Sequence, residues 1–381
     1  MPLINSSSIG SLISVEDSNY KPSDEFSFQE DDFNLTNILI PSADEFDIEG
    51  SFLPLPSSKN KDLSILSQVP FIVESNDMLL SSQKPLELND KMRRRTTKLL
   101  NICQGEVGHA ISSQCDIIAS DDATTCHIIA LRSTAMRNIY SKPLSSIAHI
   151  DRAGYEDCIR DMLETHKDHH RVATMGDHVI DLDLHFLGGF NDQDGQSREI
   201  SMYLLTLFAQ IAEEELYSMR ITLRTCAISE LNDNGNNCPI GRGLGMNTKS
   251  GHVFLVNIDR SIAGPALVLR GCRLWSASAN KKLHVVHRTP SSHEASTTSN
   301  IIIEPFKFFS FRNLKLLLSL PDHEMIKYIS TSPLVEKDNY CSNMRQTLMF
   351  IQEYKWSIIF GNGCNTSLSF RRTGNNEWEQ M

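Results

Sequence analysis

Cys126 is the residue best placed for chemistry, because it stands where the polar run SDDATT (120–125) meets the apolar run CHIIAL (126–131). A thiol at the mouth of a buried strand is held rigidly while its sulfur faces a cleft. A nucleophile needs that placement if it is to meet a carbonyl carbon repeatedly in one orientation. An imidazole is the useful partner, since it takes the thiol proton and later delivers it to a leaving amine. His127 adjoins Cys126 but alternates to the opposite face of a strand. His149, His178 and His185 lie on segments that can return to the same mouth. The competing reading makes Cys126 one more small buried apolar residue, as the other eight cysteines would be.

Metal binding is the rival use of the histidines, drawing on His166, His169, His170, His178, Asp181, Asp183 and His185. These residues lack HExxH or zinc-ribbon spacing, so no metal and no other cofactor is expected. The paired glycines of FLGGF (186–190) follow a strand-like run without GxGxxG spacing, which makes a tight turn or bulge the default over a close approach by a substrate backbone.

The elements that must position these residues read as short strands with few helices. Candidate strands are 115–120 and 126–131, separated by the turn DDATT, then the alternating run 178–190, and 220–228, 243–247 and 252–258. Segments 267–275 and 282–288 continue the β character, and 289–300 is a Ser/Thr-rich loop. Ile200, Tyr203, Leu204, Leu207, Phe208, Ile211 and Leu216 fall at helical spacing over 198–217, the clearest amphipathic helix. A second helix fits 340–355, a short helix with a basic face (Lys91, Arg93, Arg94, Arg95, Lys98) fits 84–100, and 367–381 closes as a hairpin. The expected architecture is α+β, built on mainly antiparallel sheets in one domain over residues 59–381.

The formal charge of −11 is a property of the N-terminal segment. Residues 1–50 hold eleven carboxylates and one base, Lys21, hence −10, leaving −1 for the other 331 residues. Such a segment, 1–58, has little reason to collapse and reads as disordered. The near-neutral remainder gives no electrostatic reason to bind nucleic acid, and no apolar run reaches the 18 or more residues of a membrane span. The start, MPLI followed by serines, lacks the features of a secretory signal. Nine scattered cysteines without a CxxC pair suit a reducing compartment. A soluble intracellular monomer is expected.

SDDATTCHIIALR (120–132) resembles the signature of protein N-terminal asparagine amidohydrolases. Further stretches similar to that family follow in order: LHFLGGF (184–190), SELND (229–233), GLGMNTKSG (243–251), STSPLVE (330–336) and RQTLMF (345–350). The resemblance covers roughly two-thirds of the chain, from about residue 115 onward, and omits the acidic segment; 149–176 diverges. It implies an enzyme that converts an exposed N-terminal Asn to Asp and ammonia, feeding ubiquitin-dependent degradation by the N-degron pathway through arginyltransferase and N-degron recognition. It also implies a cytoplasmic and nuclear location.

The family is similar, more remotely, to the chemoreceptor glutamine deamidases, which place a Cys–His pair and a hydroxyl on an α/β sandwich. That likeness implies Cys126 as nucleophile, His149 as general base and acid, and Ser120, six residues before the cysteine, as the hydroxyl that orients the histidine. Ser replaces Thr there and keeps the hydroxyl. Gly188 and Gly189 match a Gly-Gly pair after a later strand. Asp121, Asp122 and Glu230 are candidates to hold the substrate α-amine, with His185 as a supporting residue. Two alternatives from other classes are an inactive homologue serving as a binding or adaptor protein, and a deamidase of internal Gln or Asn.

Overall fold

The computed structural model describes residues 69–81, 84–91, 97–135, 142–174, 179–192, 194–235, 238–276, 282–289, 300–374 and 376–381. The acidic segment 1–58, Arg93, Arg94, Arg95 and His178 lie outside the described residues. In chain order the strands are β1 Leu86–Leu88, β2 Leu99–Asn101, β3 Glu106–Ala110, β4 Ile117–Ala123, β5 His127–Ala135, β6 Leu144–Ile150 and β7 Ile180–Gly188. They continue as β8 Met219–Ile228, β9 Arg242–Asn247, β10 Val253–Ile258, β11 His284–His287, β12 Asn300–Ile303, β13 Leu368–Arg372 and β14 Trp378–Gln380. The helices are α1 Pro70–Ser81, α2 Glu156–Thr174, α3 Gln196–Glu214, α4 Leu267–Gly271, α5 Leu314–Ser319, α6 Asp322–Ile329, α7 Tyr340–Glu353 and α8 Trp356–Phe360.

The fold is mixed α+β. A six-stranded sheet runs β11-β3-β6-β5-β7-β8, a five-stranded sheet β1-β10-β9-β4-β2, and a three-stranded sheet β12-β13-β14. Antiparallel pairings predominate among the described strands, and β7 pairs with β8 in parallel. That parallel pair needs a crossover connection, which α3 supplies. β5 is central and buried on both faces over His127–Leu131, which explains why its sequence is a continuous apolar run rather than an alternation.

The two faces of the six-stranded sheet have different coverings. Ile129, Leu131, Ala148 and Ile150 pack with Ile159, Met162 and Leu163 of α2 and with Leu204, Leu207 and Phe208 of α3. Ile128, Ala130 and Ile147, on the opposite face, pack with Ile118 of β4 and with Leu244 and Met246 of β9, so the five-stranded sheet covers them. Each such fully buried Ile or Leu side chain contributes roughly 1.5–3 kcal/mol. Chain segment 124–126 carries the backbone from one sheet to the other. Cys126 therefore occupies the crossing between sheets.

Several elements depart from the sequence-based expectation. The helix expected over 84–100 is interrupted by β1 and β2, three-residue strands paired in parallel with β10 and β4; Asp90 and Lys91 between them are helical. Segment 267–275 is α4 followed by a 3-10 turn instead of a strand. Its helical spacing points Arg270 and Arg273 at one carboxylate, Glu106 of β3, with all three side chains buried. Burial alone would raise Glu106, but Arg270 and then Arg273 hold it at about 2. The helix expected over 198–217 ends at Glu214, leaving Leu216 exposed. Helix α2 was not anticipated. The C-terminal hairpin forms as β13 and β14.

Candidate active site

Residues directly opposite in an antiparallel pair point to the same face, and His149 of β6 pairs with Ile128 of β5. Cys126, two residues before Ile128, projects to that same inter-sheet face and shares its hydrophobic cluster. Ser120 reaches the space from the other sheet, on the face of β4 that also presents Ile118. Ser120 of β4 and His149 of β6 thus meet between the sheets, Cys126 just before β5 shares that face, and each of the three is more than nine-tenths buried.

The hydrogen bonds fix the proton positions. Ser120 Oγ lies 2.6 Å from Ile102 O, a carbonyl that can only accept, so the hydroxyl donates there. Ser120 Oγ also lies 2.8 Å from His149 Nδ1, and with its proton committed it accepts from Nδ1–H. The lone pair of His149 is therefore on Nε2, which is buried without a hydrogen-bond partner among the described residues. Burial lowers His149 to about 4 although Asp151, Asp121 and Glu106 pull the other way, so the ring is neutral at pH 7. Burial pushes the Cys126 thiol up, and Asp151 adds to that. A protonated thiol on the same face as a neutral imidazole with an uncommitted lone pair can yield a thiolate by transfer to Nε2 once the two are in reach.

The paired glycines hold the backbone at Cys126. Gly189 N–H donates to Cys126 O at 2.9 Å. Gly188 has φ +115°, and a Cβ there would collide with Cys126 O; a Cβ on Gly189, φ +69°, would come within 2.6 Å of the His127 ring and Ser197 Oγ. Gly188→Ala is accordingly expected to cost on the order of 3 kcal/mol through strain and collision. Thermal denaturation checks this, and an unchanged melting temperature would contradict the assignment. His127 faces away from the site, with Nε2 2.6 Å from Ser201 Oγ.

The other candidates fall at varied distances. His185 pairs with Ala130, four residues along β5 from Cys126, and its Nδ1 lies 2.9 Å from Thr225 Oγ1. Asp121 accepts from Ile258 N and Lys337 Nζ, both at 2.8 Å, and Asp122 pairs with the same lysine at 2.6 Å. Glu230 is exposed in the 3-10 turn after β8. Of the histidines weighed as metal ligands, His166 bridges Ser133 and Ser146, His170 bonds Ser133, and His169 Nε2 donates to Lys142 O at 2.8 Å. Asp181 and Asp183 pair with Arg220 and Arg224. Among the described residues no grouping of three or more His, Cys, Asp or Glu could hold a metal ion.

Charged neighbours of the thiol that sequence reasoning did not single out are Asp151, Arg152 and Glu336. Asp151 accepts from Tyr155 OH at 2.8 Å, from Gln104 Nε2 at 3.3 Å and from Arg152. Glu336 closes the stretch STSPLVE, so its only sequence signal was membership of that run.

A thiol, a neutral imidazole and a hydroxyl that orients it form a constellation suited to acyl chemistry. The chain belongs to the protein N-terminal asparagine amidohydrolase family, which matches residues 89–380. It is 26% identical over 274 residues to the protein N-terminal asparagine amidohydrolase of Sus scrofa, covering 70% of this chain and 77% of the pig protein. The Homo sapiens protein of the same name is 26% identical over 272 residues, with the same coverage. The Arabidopsis thaliana counterpart is 23% identical over 368 residues, covering 90% of this chain and 99% of the plant protein.

Proposed function

We propose that this protein hydrolyses the side-chain amide of an exposed N-terminal asparagine, giving N-terminal aspartate and ammonia and so committing its protein substrates to the N-degron pathway. The observation that carries the reading is the bare, buried Nε2 of neutral His149, left free by the relay from Nδ1 through Ser120 to Ile102 O, on the face that Cys126 shares. His149 Nε2 takes the Cys126 proton, and the thiolate attacks the carboxamide carbon. The tetrahedral intermediate expels ammonia, protonated by the same ring, and leaves a thioester. Water, deprotonated by Nε2, hydrolyses the thioester to the aspartate carboxylate and restores the thiol. Ser120 holds the ring throughout, and the layered packing of two sheets with helices α2 and α3 is in keeping with an α/β sandwich of the Cys–His deamidase kind.

The test is ammonia release from peptides beginning with Asn, Gln or acetyl-Asn. Turnover of the Asn peptide alone is expected. No ammonia from the Asn peptide would overturn the reading, and equal turnover of the acetylated peptide would remove the claim that a free α-amine is recognised.

A further inference from the structure

The carbonyl that ends the Ser120–His149 relay belongs to a peptide unit whose other edge is held as well. The unit joining Ile102 to Cys103 is planar, so its C=O and N–H point in opposite directions and neither turns without the other. Ile102 O accepts from Ser120 Oγ at 2.6 Å, and Cys103 N–H donates to Glu106 Oε2 at 2.9 Å. One chain of hydrogen bonds therefore runs from the Glu106 carboxylate through this peptide and Ser120 to Nδ1 of His149, its last link 2.8 Å long. Bonds in such a chain polarise one another, and an anion at the far end makes the Ile102 carbonyl a stronger acceptor.

Strand register puts Glu106 in this place. Val107 pairs with Ala148, and both pack with helices α2 and α3; Glu106 and His149, the next residue along each strand, therefore face the other sheet. Gly105 N–H donates to His149 O at 3.0 Å, which ties the turn carrying Cys103 to the strand carrying the imidazole. Arg270 Nε donates to Glu106 Oε1 at 2.9 Å, and its Nη2 donates both to Glu106 Oε2 and, at 2.8 Å, to Asn101 O on the other side of Ile102. Arg273 Nη1 sets a second cation on Oε1. All three side chains are buried. Apolar side chains of the same volume would join these layers as firmly as a buried ion cluster does, so stability does not account for three charges here. What they supply is direction: the guanidinium fork fixes the carboxylate, and the carboxylate fixes the peptide.

Ser120 has one proton and two acceptors in reach. With Ile102 O in place the proton goes there, His149 carries its hydrogen on Nδ1, and the lone pair is left on Nε2. If that carbonyl swings away, the hydroxyl turns to donate to Nδ1, the ring hydrogen moves to Nε2, and the ring can no longer accept a proton from a thiol. We propose that Glu106 is the positioning residue that sets the tautomer of His149, acting through the Ile102–Cys103 peptide and held by Arg270. This rests on the reading of His149 as the base that activates Cys126. Burial alone would raise the Glu106 carboxyl, but Arg270 and then Arg273 hold it at about 2, so it is an anion at neutral pH. An anion there also favours the imidazolium that forms when Nε2 takes the thiol proton.

Nitrogen NMR of the His149 ring reads the tautomer, and ammonia release from an Asn-initiated peptide reads its consequence. Arg270→Lys keeps a cation beside Glu106, but one ammonium cannot reproduce the fork that holds the carboxylate and Asn101 O together. Glu106→Gln leaves two guanidiniums facing a neutral amide; it is read where a thermal melt shows it folded, and Arg270→Lys carries the test otherwise. Wild type is expected to hold the hydrogen on Nδ1. In the variants a fraction moves to Nε2, and kcat falls roughly 10- to 100-fold in step with the Nδ1–H fraction that remains, while KM changes less than about threefold. In a Ser120→Ala background the same substitution is expected to change kcat by less than about twofold, because the link it acts through is gone. A folded variant that keeps its hydrogen on Nδ1, or that loses the same factor in kcat with and without Ser120, overturns the assignment and leaves the reaction standing. The NMR measurement needs no turnover, so a wild type that releases no ammonia removes the reaction alone, whereas hydrogen on Nε2 of wild-type His149 overturns the role of Glu106.

Discussion

Cys126→Ala is expected to lower ammonia release from an Asn-initiated peptide by on the order of 10⁴-fold or more while the protein stays folded. The two halves of that expectation have separate causes. In the proposed mechanism the sulfur forms the bond that defines the intermediate, and neither Ser120 nor His149 can replace it. Ser120 Oγ is committed to Ile102 O and His149, and the proposed mechanism uses the His149 lone pair as the base. The backbone at Cys126 is held by Gly189 N–H and packed against Gly188, neither of which involves the side chain. Removing one sulfur from this position leaves a small cavity that costs about 1 kcal/mol. Retained turnover in a folded Cys126→Ala protein would remove the cysteine from the mechanism.

Acidification has the second largest expected effect, and it acts on stability. Burial lowers His109, His127 and His284 to about 3, and His149, His170, His185 and His287 to about 4. His166 is also lowered well below its ordinary value by burial. Above pH 6.5 these rings are neutral in both folded and unfolded chains and impose no pH dependence. Below it the unfolded chain takes up protons that the folded chain refuses until about pH 4, so stability present above 6.5 is lost as the pH falls. Eight such groups give a limiting slope on the order of 10 kcal/mol per pH unit, comparable to the whole stability of a typical domain. Cooperative unfolding is expected near pH 5, before Glu106, held at about 2, begins to titrate. Circular dichroism melts at stepped pH check this; a melting temperature unchanged between pH 7 and pH 5 would show that the rings are not buried neutral.

The same histidines explain why part of the fold was hard to read from sequence. Helix α3 announces itself because its inward positions are Ile200, Leu204, Leu207, Phe208 and Ile211, an unbroken apolar stripe. Helix α2 buries Ile159, Met162, Leu163, His166 and His170 at the same spacing, but two imidazoles bonded to Ser133 and Ser146 replace aliphatic side chains. A pattern scored on hydrophobicity loses the stripe there. Segment 267–275 misleads differently, since the reason for its helical turn is Glu106, which lies some 160 residues earlier in the chain. At the site, Cys126, His149 and Ser120 lie close in sequence and share local strand logic. The placement of Glu336 near the thiol is not legible in its own run, because it depends on Lys337 meeting Asp121 and Asp122 across more than 200 residues.

The relay that readies the imidazole has one end on each sheet. The 2.8 Å between Ser120 Oγ and His149 Nδ1 therefore measures the gap between sheets, and that gap is set by Ile118, Ile128, Ile147 and Leu244. Shortening one of these by a methylene costs about 1 kcal/mol of stability, whereas a displacement near 1 Å at a reacting group costs roughly 10²-fold in rate. If the proposed proton transfer operates, variation in these aliphatic residues is constrained by turnover more tightly than by folding: a bulk change in the interior is then read first as slower ammonia release and only later as lost stability.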